Sequence, residues 1–113
     1  RATDSKGEST RNSFKVQKYH NLSDNINIMP NPIKDEANIL VEFYDPSILT
    51  IEVYSFQGVK IDDVIINQRF NKGVYFIKFN TSNLKKSIYI LRFQFIDSTN
   101  NQVKLNFKKF IKM

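Results

Sequence analysis

Residues 49–58 read LTIEVYSFQG, and this stretch carries the clearest structural signal in the sequence. Leu49, Ile51 and Val53 alternate with residues that tolerate solvent. A period of two places successive side chains on opposite faces of a β-strand, so one face is buried and the other meets water. The strand leads to Gln57-Gly58, where glycine can adopt the positive φ that a tight hairpin turn requires. The stretch therefore predicts an antiparallel strand that enters a hairpin.

Similar runs of β-branched and aromatic residues occur on both sides of this strand, separated by turn residues. The predicted strands are 26–29, 37–44, 49–56, 59–66, 73–79, 88–95 and 103–111. In the last strand we expect Val103, Leu105 and Phe107 to face inward and Lys104, Asn106 and Lys108 to face outward. Seven such strands favour two packed sheets with Greek-key connections. We therefore predict an all-β fold, a seven-stranded immunoglobulin-like antiparallel β-sandwich.

Two segments depart from simple alternation. Asp62 and Asp63 interrupt the fourth predicted strand, which indicates a bulge or an exposed stretch. Residues 81–86 are polar and predict a connection, with one short helical turn capped by Thr81 or Ser82.

Composition agrees with one small β domain. The chain has 113 residues, with ten Phe, five Tyr and no Trp, and it is too short for two comfortable cores. Residues 1–25 are expected to be a flexible linker or the tail of a preceding domain, and 26–113 the sandwich. Because the chain begins at Arg1 without an initiator methionine or an apolar signal segment, we expect it to be a fragment of a longer, processed protein.

Residues suited to catalysis or metal binding are scarce. His20 is the single histidine and there is no cysteine, so a thiolate metal site, a disulfide framework and a cysteine nucleophile are excluded. Asp62-Asp63 and Asp35-Glu36 are adjacent pairs, which point to opposite faces of a strand and make poor acid–base dyads. We therefore predict a non-catalytic protein that uses no cofactor.

The net charge of +6 comes mostly from scattered lysines. Residues 98–113 are the exception, because they contain Lys104, Lys108, Lys109 and Lys112 and no acid. Nucleic-acid binding would require basic residues clustered on one face, so we do not expect it. No run of eighteen apolar residues occurs, so we expect no direct membrane insertion.

The aromatic residues leave a binding module open as a second hypothesis. Most of them share the alternating face of the aliphatic residues, which indicates core packing. Tyr44, Tyr54 and Phe56 are the candidates that face outward. An immunoglobulin-like glycan- or protein-binding module of a surface adhesin or enzyme would display such residues.

Four segments, in this order, resemble the motifs of a known family. They are Met29-Pro30-Asn31-Pro32, the strand from Ile51 to the turn glycine Gly58, Leu84-Lys85-Lys86-Ser87-Ile88-Tyr89-Ile90-Leu91, and the terminal Lys109-Phe110-Ile111-Lys112. Together they are similar to the type A C-terminal sorting domain of the type IX (Por) secretion system. Ser87 stands where that family usually has glycine, and serine is less favourable than glycine at positive φ.

The resemblance implies a secretion signal at the end of a cargo protein in Bacteroidetes-type bacteria. The cargo would pass through the periplasm and then reach the cell surface or the medium. The implied partners are the outer-membrane translocon or shuttle and the sortase of the type IX system. The resemblance also implies a label without enzyme activity of its own.

The candidate recognition residues are Pro30, Asn31, Pro32, Gly58, Tyr89, Lys108, Lys109 and Lys112. We expect Lys108, Lys109 and Lys112 to present positive charge that no acid compensates. Alternatively, Lys108 and Lys112 protect an edge strand from pairing with other chains. The oligomeric state and the cleavage site stay open, although a cut would fall before Ile26 because proteases favour disordered chain.

Overall fold

The computed structural model describes residues 25–113, which form seven β-strands and no α-helix. The strands are β1 (Ile26–Met29), β2 (Glu36–Phe43), β3 (Ser47–Ser55), β4 (Lys60–Phe70), β5 (Gly73–Asn80), β6 (Ser87–Asp97) and β7 (Val103–Lys112). All seven predicted strands are present, and the largest difference is that β4 continues to Phe70 instead of ending at Ile66. The expectation for residues 1–24, which includes His20, lies outside the described residues.

The strands form two antiparallel sheets. One contains three strands in the order β1-β2-β5, and the other contains four in the order β4-β3-β6-β7. The connections β2–β3, β4–β5 and β5–β6 pass from one sheet to the other, as in a Greek key. The predicted all-β sandwich is therefore confirmed.

The core lies between the inner faces of the two sheets. The alternation in β3 is confirmed, because Leu49, Ile51 and Val53 are almost completely buried. An aromatic cluster closes each end of the core. Phe43 stacks on Phe70 with ring centroids 4.9 Å apart, and Phe110 packs edge-on against Phe79 at 5.3 Å at the other end. Fully burying one such side chain contributes about 1.5–3 kcal/mol.

The predicted orientation of β7 is wrong. Val103, Leu105 and Phe107 are 57%, 50% and 57% exposed. Residues opposite each other in an antiparallel pair share a face, and buried Phe95, Phe93 and Leu91 lie opposite Lys104, Asn106 and Lys108. An alternating pattern does not say which of its two faces meets the core, and a shift of one residue exchanges them all.

The two irregular segments gave different outcomes. The bulge in the fourth strand is confirmed, because the β3–β4 register shifts just before the pair of Glu52 with Asp63 and again just after the pair of Val53 with Asp62. The helical turn at 81–86 is wrong. That segment forms turns closed by a bond from the Leu84 N–H to the Thr81 carbonyl, 2.9 Å. The predicted capping residue is also wrong. The side-chain oxygen of Asn80, and not that of Thr81 or Ser82, accepts a hydrogen bond from the Ser82 N–H at 2.8 Å.

Candidate functional site

The four sequence segments singled out above lie together at one end of the sandwich. Ser55 is opposite Tyr89, and Tyr89 is opposite Phe110. The turn after β3, the start of β6 and the end of β7 are therefore neighbours. Ile33, just after the Pro-Asn-Pro sequence, forms a parallel bridge with Lys112. We call this region, residues 30–35, 55–59, 84–89 and 109–113, the motif end.

The side chain of Asn31 continues the sheet ladder of β7. Its Nδ2 donates to the carbonyl oxygen of Lys109 at 3.4 Å, and its Oδ1 accepts the N–H of Ile111 at 3.0 Å. One donor and one acceptor on the same amide are what a neighbouring peptide group would offer to a parallel strand. Asn31 thus acts as a side-chain substitute for a backbone partner. It lies between Pro30 and Pro32, which have no N–H to give.

Beyond Asn31, the backbone groups of Ile33 continue the hydrogen bonding to β7. Its N–H donates to the Ile111 carbonyl at 2.7 Å, and its carbonyl accepts the N–H of Met113 at 2.8 Å. The Ile33 side chain is completely buried. The last residues of β7 are consequently held between β6 on one side and the loop after β1 on the other.

Lys112 is a buried lysine and not a displayed one. Its side chain is only 7% exposed, and its ammonium lies 3.9 Å from Asp35 Oδ1. The ammonium also donates a hydrogen bond to the Lys34 carbonyl. The expectation that Lys112 presents an uncompensated charge is therefore wrong, because the side chain is used to tie β7 to the loop.

Phe110 and Tyr89 anchor the motif end in the core. Phe110 is fully buried and stacks against Tyr89 with ring centroids 5.4 Å apart. The Tyr89 hydroxyl donates to the Lys85 carbonyl at 2.7 Å, so its polar tip is satisfied although the ring is buried. Ser87, which replaces the family's glycine, is exposed in β6 and is not among the described residues with positive φ. The substitution therefore meets no conformational penalty here.

Gly58 lies in the turn after β3 with φ +91°. The turn is closed by the bond from the Ser55 N–H to the Val59 carbonyl, 2.8 Å. A Cβ at position 58 would meet no atom within 4 Å. Glycine is thus favoured by its backbone angle and not by lack of space.

The lysines of β7 differ in environment. Lys109 is exposed on the outer face, and Lys108 is half-buried on the inner face. Neither makes an ion pair with any described residue of the chain. Lys34, Lys85 and Lys86, which belong to the same end, are also exposed. Positive charge therefore surrounds the motif end even without Lys112.

A charged cluster on the outer face of the four-stranded sheet was not predicted from sequence. Glu52 accepts from Arg92 at 2.9 Å and from the Tyr54 hydroxyl at 3.0 Å, and it lies 3.1 Å from the Lys60 ammonium. Partial burial alone would raise the pKa of Glu52. The hydrogen bonds from Lys60, Tyr54 and Arg92 outweigh it, and they hold the pKa below its usual value.

The candidate outward aromatics do not form a row. Tyr44 follows β2 of the three-stranded sheet, whereas Tyr54 lies in β3 of the other sheet and Phe56 in the turn that follows β3. Tyr44 and Tyr54 are half-buried, and only Phe56 is well exposed. Sequence reasoning did not identify two other exposed aromatic residues, Phe76 and Phe107. Tyr54 and Phe107 line the same depression, but the aromatic residues as a set are divided between the two sheets, which does not favour a sugar-binding platform.

Within residues 25–113, no group of three or more His, Cys, Asp or Glu side chains is placed to hold a metal ion. In the same part of the chain, no helix has the length and apolarity needed to cross a membrane.

Comparison with known proteins identifies the family. No curated protein and no solved structure matches the chain. The sequence model of one family, described as secretion system C-terminal sorting domain, matches residues 27–112. That interval contains β2 to β7, all of β1 except its first residue, and nearly all of the motif end. The chain therefore belongs to the C-terminal sorting domains of type IX secretion, which act with that system's machinery to export proteins to the cell surface or the extracellular space.

Proposed function

We propose that the motif end is the surface that the outer-membrane translocon or shuttle of the type IX system reads, while the attached cargo is in the periplasm. The observation that carries this proposal is the ladder made by Asn31 with Lys109 and Ile111. It joins the first and last of the four segments into one rigid unit.

These contacts connect residues that are distant in sequence. Asn31 and Lys109 are separated by 78 positions, and they meet only in the folded chain. An unfolded signal would not present them together, so the surface reports that folding is complete. A rigid surface also binds with a lower entropic cost than a flexible tail.

The candidate residues have different roles in this proposal. Asn31 and Lys112 are positioning residues, since both hold the last strand against the loop that contains Pro30 and Pro32. Gly58 and Tyr89 support the neighbouring turn and the Phe110 ring. Lys109, with Lys108 beside it, supplies the charge that a partner would contact.

The domain itself is proposed to be non-catalytic and to need no cofactor. It serves as a label on the cargo, and a surface sortase would cut before Ile26. The boundary between a linker at 1–25 and the sandwich at 26–113 is part of the same proposal.

Export of a reporter tests the proposal. Residues 26–113 are fused to the C-terminus of a fluorescent protein that carries a signal peptide, in a host with the type IX system. The fusion is expected at the cell surface or in the medium, and removal of residues 109–113 is expected to leave it in the periplasm. A complete fusion that stays in the periplasm would contradict the proposal.

A matched pair of charge reversals separates recognition from folding. Lys109 and Lys72 are both exposed, but Lys72 precedes β5 at the end opposite the motif end. We expect Lys109→Glu to reduce export and Lys72→Glu to leave it unchanged, with equal thermal stability of both variants. Equal export of the two variants would show that the charge at the motif end is not read.

A further inference from the structure

The first half of β7 has an open edge. At the end of the strand, Lys109 and Ile111 direct their backbone groups away from β6, toward Asn31 and Ile33. Because backbone direction alternates along an antiparallel strand, Val103, Leu105 and Phe107 direct their N–H and C=O groups to the same side. No described residue hydrogen-bonds to those groups.

This edge is regular, unlike the other edge of the same sheet. The β6–β7 register continues without a shift from Ser87–Lys112 to Ile96–Val103. The opposite edge strand, β4, has three register shifts against β3 and a residue with positive φ, Asn67. Bulges of that kind blunt an edge against pairing. β7 has no such bulge, and its lysines Lys104 and Lys108 discourage pairing with a basic or identical strand but not with an acidic one.

Exposed apolar side chains accompany the open backbone groups. Val103, Leu105 and Phe107 project from the outer face of the sheet. Phe107 also borders a shallow depression of about 290 Å³ together with Tyr54, Ile90 and Arg92. A strand added to β7 would therefore gain ladder hydrogen bonds and apolar contacts from the same three residues.

Charge decides which strand fits. Lys104 and Lys108 lie on the inner face of β7, and residues 98–113 contain no acid. Two copies of β7 placed side by side would bring lysines together, and like charges in adjacent strands are destabilising. A strand with glutamate or aspartate at alternate positions would instead face Lys104 and Lys108 with opposite charge.

The open edge of the smaller sheet lacks this bias. β5 exposes Val74 and Phe76 and carries a single lysine, Lys78, whereas its neighbour β2 places Glu42 opposite Val74. An acidic strand on β5 would lie near that carboxylate. The charge pattern therefore favours β7 over β5.

We propose that the edge of β7 at residues 103–108 binds an extended segment of a partner protein in which acidic and apolar residues alternate. The segment extends the four-stranded sheet, with its apolar residues beside Leu105 and Phe107 and its acids toward Lys104 and Lys108. The proposal rests on the proposed function only in taking the secretion machinery as the source of the segment.

Amide NMR of the whole chain with two synthetic peptides tests the proposal. The probe is an eight-residue peptide of alternating valine and glutamate, and the control peptide alternates valine and lysine. We expect the glutamate peptide to shift the amides of Val103, Leu105 and Phe107 and to slow their hydrogen exchange, and the lysine peptide to do neither. Equal effects of both peptides, or protection confined to β5, would overturn the proposal.

Leu105→Pro provides the structural control. The Leu105 N–H has no partner among residues 25–113, so proline removes an open donor and no ladder bond, as edge strands tolerate. Leu105→Thr keeps the N–H. We expect the proline variant, checked for folding by its NMR spectrum, to bind the glutamate peptide about tenfold more weakly than the threonine variant. Equal binding, or dimerisation of the free chain through β7 in sedimentation, would refute strand addition by a partner.

These measurements are independent of export. If the reporter fusion stays in the periplasm and the glutamate peptide still binds β7, the proposed function fails and the docking edge stands. If the fusion is exported and the peptide does not bind, the docking edge alone fails.

Discussion

The two halves of β7 have similar sequences and very different environments. Residues 109–112 pair with β6 on one side and with Asn31 and Ile33 on the other, and Phe110 fills the core. Residues 103–108 pair with β6 alone and expose Phe107. Both halves consist mainly of lysines and apolar residues, so composition does not explain the contrast. The difference comes from the loop that crosses the end of the strand, which locks one half and leaves the other available.

Replacing an aromatic ring in each half should give the largest contrast. Phe110→Ala would leave a cavity between Tyr89 and Phe79, at a cost of about 3–5 kcal/mol in the free energy of unfolding. Phe107→Ala should change that free energy by no more than about 0.5 kcal/mol, because the ring faces solvent. Urea titrations of both variants measure the two values. Similar losses would mean that the halves are equally important for stability.

Removing the side-chain amide of Asn31 should weaken the attachment of residues 109–112 to the loop after β1. Asn31→Ala deletes both hydrogen bonds to β7, and we expect a loss of about 1–2 kcal/mol. Asn31→Asp keeps the acceptor for the Ile111 N–H and loses the donor to the Lys109 carbonyl. Hydrogen exchange at Ile111 should accelerate in the alanine variant and much less in the aspartate variant. Unchanged exchange in both would show that the side-chain ladder contributes nothing.

Neutralising Lys109 and Lys112, the lysines on either side of Phe110-Ile111, sharpens the contrast further. Lys112→Met removes the buried ammonium that donates to the Lys34 carbonyl, and we expect a loss of about 1 kcal/mol. Lys109→Met alters an exposed side chain and should leave stability unchanged within about 0.5 kcal/mol. Thermal unfolding of the two variants compares them directly. A larger loss for Lys109→Met would contradict the assignment of Lys112 as the structural lysine.

The smallest expected effect is a pH dependence of stability. It arises from Glu52, which lies on the outer face of the four-stranded sheet beside residues 103–108. The pKa of Glu52 is lowered, so its ion pairs stabilise the fold above the ordinary value of 4.5. This stabilisation is lost as the pH falls through the lowered pKa. Glu52→Gln should therefore be less stable than the parent at neutral pH, with a deficit that shrinks in acid. Glu36→Gln, at a carboxylate without an ion pair among the described residues, should show little deficit. A stability deficit of Glu52→Gln that grows in acid would contradict the lowered pKa of Glu52.

Sequence reasoning was reliable for elements and less so for orientation. The alternation in β3 predicted its buried face, because Leu49, Ile51 and Val53 have polar neighbours at every other position. In β7 both faces carry apolar residues, Phe107 on one and Phe110 on the other, so the pattern could not identify the buried face. Lys112 was misjudged for a related reason. The aliphatic stem of lysine can be buried when its ammonium finds an acceptor, and that acceptor lies far away in the sequence.

The sequence by itself determined the strands, the sandwich and the four family motifs, because these depend on local alternation, on turn residues and on short patterns. Only the tertiary structure decided that the motifs meet at one end, that Asn31 completes the ladder of the last strand, and that half of that strand has an open edge. Each of these features depends on contacts between residues dozens of positions apart. Such contacts are set by strand register and by the packing of loops over sheet edges, and local propensities do not encode either one.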